Sequence, residues 1–203
     1  MKTTVLSALV LAAAVGTAQS QTIFDGTYFG LGLGYGFGDV SNFAASTLNI
    51  EGAAASGVIG WNGSNGNLVY GVEADLSLGD INGSATCLNP TWTCDASVRA
   101  FGSLRGRIGV AQNNVLFYAT AGAALASVEL KTINSVGTEF PDTQTPTGWV
   151  AGLGIEGRAG ASNWNYRAEY LHHDFGSKTY NTDLPYNSGV TVDLVRFMMT
   201  RSF

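Results

Sequence analysis

The sequence predicts an all-β fold: an eight-stranded antiparallel up-and-down transmembrane barrel with short periplasmic turns and four longer extracellular loops. Three observations point there. Only 12% of the 203 residues are charged, about half the ~25% usual for a soluble domain, so a water-facing surface would lack its ordinary Lys and Glu. No internal stretch reaches the roughly 18 consecutive apolar residues of a spanning helix. Eight segments instead alternate apolar with small or polar residues, the period-two pattern of a strand whose two faces meet different surroundings. At about 100–200 residues per domain, the chain is one domain.

The N-terminus reads as a targeting segment. Lys2 precedes an apolar run from Val5 to Val15, and the small residues Gly16, Ala18 and Ser20 follow. That is the signal-peptide pattern, too short for an anchor. Residues 1–18 are assigned to it, with cleavage after Ser20 as the alternative, and residues 19–203 to the barrel. A buried N-terminal helix is the rival reading. Export places thiols in an oxidising compartment. Cys87 and Cys94, an even pair in one polar loop, are expected to form a bridge at the tip of that loop. Free thiols are the alternative, and two Cys without a nearby His are too few ligands for zinc.

The strands follow in order. In the first, Phe29, Leu31, Leu33, Tyr35 and Phe37 alternate with Gly30, Gly32, Gly34 and Gly36. The second, about 53–61, carries Ala55, Gly57, Ile59 and Trp61 on its apolar face. The third sets Leu68, Tyr70, Val72, Ala74, Leu76 and Leu78 against Glu73 and Asp75, and the fourth sets Leu104, Ile108 and Val110 against Arg105 and Arg107. Val115, Phe117, Ala119, Ala121, Ala123 and Leu125 line the fifth. Trp149, Ala151, Leu153 and Ile155 oppose Glu156 in the sixth, and Trp164, Tyr166, Ala168 and Tyr170 oppose Arg167 and Glu169 in the seventh. The eighth begins near Val190 and ends at Phe203. Connections alternate between long polar ones (39–51, 79–96, 127–146, 174–188) and short ones (62–67, 111–114, 159–163), as expected of an outer-membrane barrel.

A soluble barrel would share the alternation with its faces reversed. Three features put the apolar face outside. Glycines line the polar face of the first and sixth strands, where a narrow lumen needs small residues. Lys and Glu are scarce. Trp61, Trp149, Trp164 and Tyr166 are placed near the short turns, as an interfacial girdle. The inward face then carries Glu73, Asp75, Arg105, Arg107, Glu156, Arg167, Glu169 and Arg196, with Phe101 and Met198 as bulk. Eight strands leave an interior just wide enough for side chains, and isolated charges there would cost several kcal/mol. These groups are therefore expected to pair: Glu73 and Asp75 with Arg105 and Arg107, Glu156 opposite Arg167, and Glu169 near Arg196.

Runs such as Val69-Tyr70-Gly71-Val72-Glu73-Ala74-Asp75-Leu76, Leu104-Arg105-Gly106-Arg107-Ile108-Gly109 and Ala168-Glu169-Tyr170-Leu171 before Asp174-Phe175-Gly176 carry a family likeness. The mature chain resembles the small eight-stranded outer-membrane surface-antigen, porin-like barrels of alphaproteobacteria, within the OmpA-type β-barrel superfamily. The resemblance implies insertion by the outer-membrane assembly machinery, abundance at the surface and antigenicity. The C-terminal strand looks like the assembly signal, with Val195, Phe197, Met199 and the terminal Phe203 at alternate positions. Arg196 matches a common family arginine. Arg201 and Met198 depart from the pattern, standing where an aromatic and a Gly are usual. A lipid-side Arg near the interface costs only about 0–1 kcal/mol.

Chemistry is thinly signalled. His172 and His173, beside Asp174 and near Ser177, are the only candidates for a hydrolase site. No nucleophile motif surrounds Ser177, so rim histidines are the expected reading. The acidic residues Asp80, Asp95, Glu129, Glu139, Asp142 and Asp183 are dispersed, without the closely spaced ladder of a Ca²⁺ loop. A net charge of −5 and the absence of a Lys/Arg cluster argue against nucleic acid, and Lys131 and Lys178 are too few for a polyanion surface. The expectation is a non-enzymatic envelope protein without cofactor or metal, lodged among outer-membrane lipids and lipopolysaccharide. Its rivals are a small pore and a loop-mediated adhesin for a host or phage ligand.

Overall fold

The computed structural model describes residues 22–45, 47–160 and 162–203; the signal-peptide assignment lies outside them. Nine hydrogen-bonded segments follow one another: β1 (Gly26–Ser41), β2 (Leu48–Asn65), β3 (Leu68–Thr86), β4 (Thr93–Gln112), β5 (Val115–Ile133), β6 (Glu139–Gln144), β7 (Thr147–Arg158), β8 (Trp164–Asn181) and β9 (Pro185–Ser202). All pairings are antiparallel. β1 pairs both β2 and β9, so the first and last strands close the ring. β6 and β7 both pair with β5, above and below a break at Thr145–Pro146. They act as one stave, and the ring has eight. Within the membrane belt closure pairs each stave with two neighbours, as hydrocarbon requires.

The apolar face is outside. Leu31, Leu33, Ile59, Leu104, Leu153 and Phe197 are more than 60% exposed. Along β1 the outward residues Phe29 to Phe37 cover about 27 Å of strand at ~3.4 Å per residue. At a tilt of about 40° that is about 20 Å of height, close to the ~25 Å apolar band of such barrels. Inside, two layers stack. Charged and polar side chains fill the lumen at membrane level. Beyond them an apolar core built from Val40, Phe43, Leu48, Ile81, Val98, Leu130, Phe175 and Val192 fills the long-hairpin end.

Several expectations are corrected. The four polar connections expected as long loops are mostly strand: the hairpins continue until only 42–47, 87–92, 134–138 and 182–184 remain as tips. Their outward positions are polar and face water while their inward ones carry the apolar core, the reverse of the membrane belt, and this reversal hides the alternation. The last strand accordingly begins at Pro185, not near Val190. The turns tighten too, with β2 and β3 joined by Gly66 and Asn67, and β4 and β5 by Asn113 and Asn114. Gly66 and Asn113 both take positive φ, the conformation tight hairpins demand. Trp149 lies at the opposite end of β7 from its short turn, so it belongs to the outer girdle, whereas Trp61, Trp164 and Tyr166 lie at the periplasmic one. Finally, the Cys87–Cys94 disulfide closes the second tip, but its sulfurs are buried in the apolar core and not displayed.

The candidate functional site: a charged lumen under an apolar cap

Antiparallel register brings the lumen charges to neighbouring heights. Glu73 on β3 faces Arg105 on β4, Glu156 on β7 faces Arg167 on β8, and Glu169 on β8 faces Arg196 on β9. Closure adds contacts across the lumen. Glu73 is the hub: it pairs with Arg105, lies 2.5 Å from Arg167, 3.7 Å from Arg107 and 3.9 Å from Arg196. Asp75 lies 3.2 Å from both Arg105 and Arg196. Glu169 joins Arg196 at 2.6 Å and Arg105 at 3.3 Å, and Glu156 joins Arg107 and Arg167, each at 3.0 Å. Four arginines balance four carboxylates, and all eight side chains are at most 3% exposed.

Two tyrosines that sequence reasoning missed complete the network. Tyr28 of β1 donates its hydroxyl to Glu73 at 2.6 Å and accepts from Arg107 at 3.1 Å. Tyr118 of β5 donates to Glu169 at 2.8 Å. The Arg107 guanidinium stacks 3.9 Å above the Tyr118 ring, and Arg167 lies 5.1 Å from the Tyr28 ring. Stacking spreads the two like charges over aromatic faces. Strand parity was the available signal, because Tyr28 precedes Phe29 and must point the other way. Asn165 and Thr200 donate to Glu156 at 3.1 and 2.8 Å, and Ser103 donates to Asp75. A carboxylate in low dielectric needs such a full set of donors.

The glycines of β1 make room for this packing. A Cβ on Gly34 would fall 2.8 Å from the Arg196 Cβ, and one on Gly32 would strike the β9 backbone and Met198. The short-turn mouth is closed by the segment before β1. Phe24 is 1% exposed among Val69, Leu116 and Tyr118. Its carbonyl accepts from Asn62 at 2.9 Å, and the Ile23 carbonyl accepts from Arg158.

The two histidines do not share a site, since successive strand residues face opposite ways. His173 points in, bonded through Nδ1 to the Val192 carbonyl at 3.1 Å and flanked by the rings of Phe101 and Phe175. His172 points out to Asp193 at 2.8 Å and lies beside Trp149. Among the described contacts Ser177 bonds to neither ring. Of the assembly-signal residues, Val195, Phe197, Met199 and Phe203 all face outward and are 40–72% exposed. Arg201 lies 5.7 Å from the Trp164 ring and 5.8 Å from that of Phe203.

Outside the membrane, hairpins are tied to one another by side chains. Thr132 donates to Asp183 at 2.8 Å, the Asn181 N–H to Asp142 at 2.7 Å, and Lys178 to the Thr145 carbonyl at 3.1 Å. Lys131, bonded to Glu139 at 3.0 Å, has its pKa raised by that bond. Burial, with the Asp142 charge second, pushes the Tyr180 phenol up to about 12.

Comparison with known proteins is consistent along the chain. The family model described as outer membrane protein beta-barrel domain matches residues 5–196. The 25 kDa outer-membrane immunogenic protein of Brucella abortus is 31% identical over 161 residues, covering 79% of this chain and 70% of the relative. The 22 kDa outer membrane protein of Rhizobium leguminosarum is 30% identical over 162 residues, covering 79% and 68%. Among solved structures, Neisserial surface protein A superposes with a TM-score of 0.51 at 13% identity, over 91% of this chain and all of that one. That likeness speaks to the fold.

Proposed function

Since the chain belongs to the outer membrane protein beta-barrel family, and so resides in the outer membrane, we propose that it is a structural surface barrel with a plugged lumen. It strengthens the envelope and displays four hairpins outside. The observation that carries this reading is the balanced four-arginine, four-carboxylate network spanning the lumen. A water-filled channel would leave such groups solvated on the wall; here each arginine reaches carboxylates on other strands, and the space between is filled. The apolar core above and Phe24 below add two further closures.

Planar-bilayer recording tests it. Negligible steady conductance is expected from the wild-type protein. Stable ohmic steps would overturn the plug and put a small pore first.

Display of the hairpins is supported by their build. The tips are held by a disulfide and by inter-hairpin bonds, and each of three carries one exposed apolar residue: Leu88, Val136 and Leu184 are 60–83% exposed. The relatives named for immunogenicity fit a surface presented in this way. A non-enzymatic role rests on the separation of His172 and His173 onto opposite faces of β8.

A further inference from the structure

We propose that the adjoining tips of the β3–β4 and β5–β6 hairpins form a docking surface for a basic, amphipathic segment of another protein. The proposal rests on the hairpin display argued above and names the chemistry of the partner to which the tips are shown.

The two tips stand side by side. Thr93 pairs with Ile133 and Ile133 with Glu139, so the turns at 87–92 and 134–138 close at one height. Trp92 of the first hairpin stacks on Phe140 of the second, with ring centroids 5.9 Å apart and planes 10° from parallel. Each tip adds one aliphatic residue in water: Leu88 is 72% and Val136 83% exposed. A lone exposed apolar residue is ordinary. Two aliphatics with an aromatic stack between their hairpins make a patch.

Both turns are fixed before any partner arrives. Cys87 and Cys94 are bridged, the Cys87 N–H donates to the Trp92 carbonyl, and the Trp92 N–H donates to the Asn89 carbonyl, each at 3.0 Å. The Asn89 side-chain oxygen accepts from the Thr91 N–H at 3.2 Å and from its hydroxyl at 2.9 Å. In the second turn the Asn134 side chain accepts from the N–H groups of Val136 and Thr138, at 3.1 and 2.8 Å, and Gly137 takes a positive φ. These bonds stay within the tips and add nothing to the membrane ring. What they do is hold Leu88 and Val136 in water in one arrangement. A surface ordered in advance forfeits less entropy when a partner covers it.

Charge selects the partner. Asp80, Asp95, Glu129, Glu139, Asp142 and Asp183 lie below and beside the patch, against Arg99, Lys131 and Lys178. All three cations are engaged within the chain: Arg99 with Glu129 at 3.6 Å, Lys131 with Glu139 at 3.0 Å and Asp95 at 3.8 Å, and Lys178 with the Thr145 carbonyl at 3.1 Å. Six carboxylates against three cations leave a negative field, which draws in basic chains and repels polyanions. Among the described residues no group of three His, Cys, Asp or Glu is placed to hold a metal ion; a charged rim needs no such convergence. Leu88 and Val136 offer no side-chain hydrogen bond, so they suit the apolar face of a protein segment, whereas a sugar chain calls for converging polar groups. The occupant is therefore a segment whose apolar face is bordered by Lys or Arg.

Biolayer interferometry on the refolded chain in phosphatidylcholine nanodiscs tests this, with empty discs as the blank. The probes are three synthetic amphipathic peptides of one length and pattern, built from Lys and Leu, Glu and Leu, or Lys and Ser. The Lys/Leu peptide should bind with a Kd about tenfold or more below the other two, and its binding should weaken as salt is raised. Leu88→Ser/Val136→Ser should raise that Kd about tenfold, the scale of aliphatic side chains partly covered. Asp80→Asn/Glu139→Gln, which leaves the apolar residues in place, should raise it about threefold and remove much of the salt dependence. Equal binding by the wild-type protein and both double variants, or equal binding of the Glu/Leu and Lys/Leu peptides, overturns the docking surface. Heat-modifiable gel migration is read first, and Leu88→Ala/Val136→Ala replaces the serine pair if that variant does not fold. Labelling of Val136→Cys on intact cells by a membrane-impermeant maleimide separates the two readings. No label overturns the display on which the proposal rests; label together with indifferent binding overturns the docking surface alone.

Discussion

Arg167 on β8 reaches across the lumen to Glu73 on β3, 2.5 Å away and 94 residues apart in sequence. No pairing of adjacent strands brings these two together; barrel closure does. Glu73 also meets Arg105, Arg107 and Arg196, so one carboxylate is shared by every arginine of the lumen.

Glu73→Ala should therefore be the most damaging single change in the lumen. Breaking a buried ion pair from one side costs about 3–5 kcal/mol, because the partner charges stay buried. Urea unfolding in lipid vesicles measures it. Glu73→Ala/Arg105→Ala should also open a leak in planar bilayers, since the charges stay nearly balanced while the plug loses its centre. A loss below about 1 kcal/mol and a silent double variant would show that Glu73 is no hub.

The mouth plug can be probed without touching the network. Phe24→Ala removes a fully buried ring from a segment whose Phe24 carbonyl accepts from the Asn62 side chain and whose Ile23 carbonyl accepts from the Arg158 side chain, and should cost about 3 kcal/mol, the low end for such a truncation. Phe24→Leu should recover much of that. If both variants match the wild type in urea, the segment contributes no closure.

Reduction of Cys87–Cys94 should loosen the tip and leave the ring intact. The sequence separation is 7, and the chain-entropy model gives about 2.5 kcal/mol at most for so short a loop. Because the sulfurs are packed into the upper core, reduced protein should be nicked faster between Leu88 and Trp92 while still migrating as a folded barrel. Unchanged proteolysis, or a collapse of folded mobility, would contradict this.

Glycines on the two faces should respond oppositely. Gly32→Ala places a methyl against Met198 and the β9 backbone, whereas on Gly57 the new Cβ meets only Leu31 at 3.6 Å. Refolding yield should fall for Gly32→Ala and hold for Gly57→Ala. Equal yields would mean that the β1–β9 seam has slack.

Tyr180 makes an alkaline prediction. Its folded pKa is raised to about 12 against ~10 when unfolded. Above pH 10 the native state therefore binds more protons than the unfolded one, and stability falls as pH rises from about 10 to 12. Among the described residues the hydroxyl has no hydrogen-bond partner, so Tyr180→Phe should cost little at pH 7 and flatten that alkaline decline. A variant with the wild-type pH profile would place the decline elsewhere.

The sequence by itself determined which way each strand residue points. Period-two alternation carries that directly, so the lipid face, the eight lumen charges and the adjacent pairs Glu73–Arg105, Glu156–Arg167 and Glu169–Arg196 were all legible. It left hidden what has no local signature. The extended hairpins read as loops because there polar residues face out and apolar ones face in, the reverse of the membrane belt, and the break at Thr145–Pro146 that splits one stave lies inside one of them. Trp149 directly follows the long connection 127–146, so strand direction alone puts it at the outer end, and its expected place near a short turn fails on that ground. Only the tertiary structure decided that Glu73 meets Arg167, that Tyr28 and Tyr118 join the network, and that Trp92 stacks on Phe140. Alternation specifies a face, whereas height and neighbours across the ring depend on shear, bulges and closure, which exist only once β9 has paired with β1.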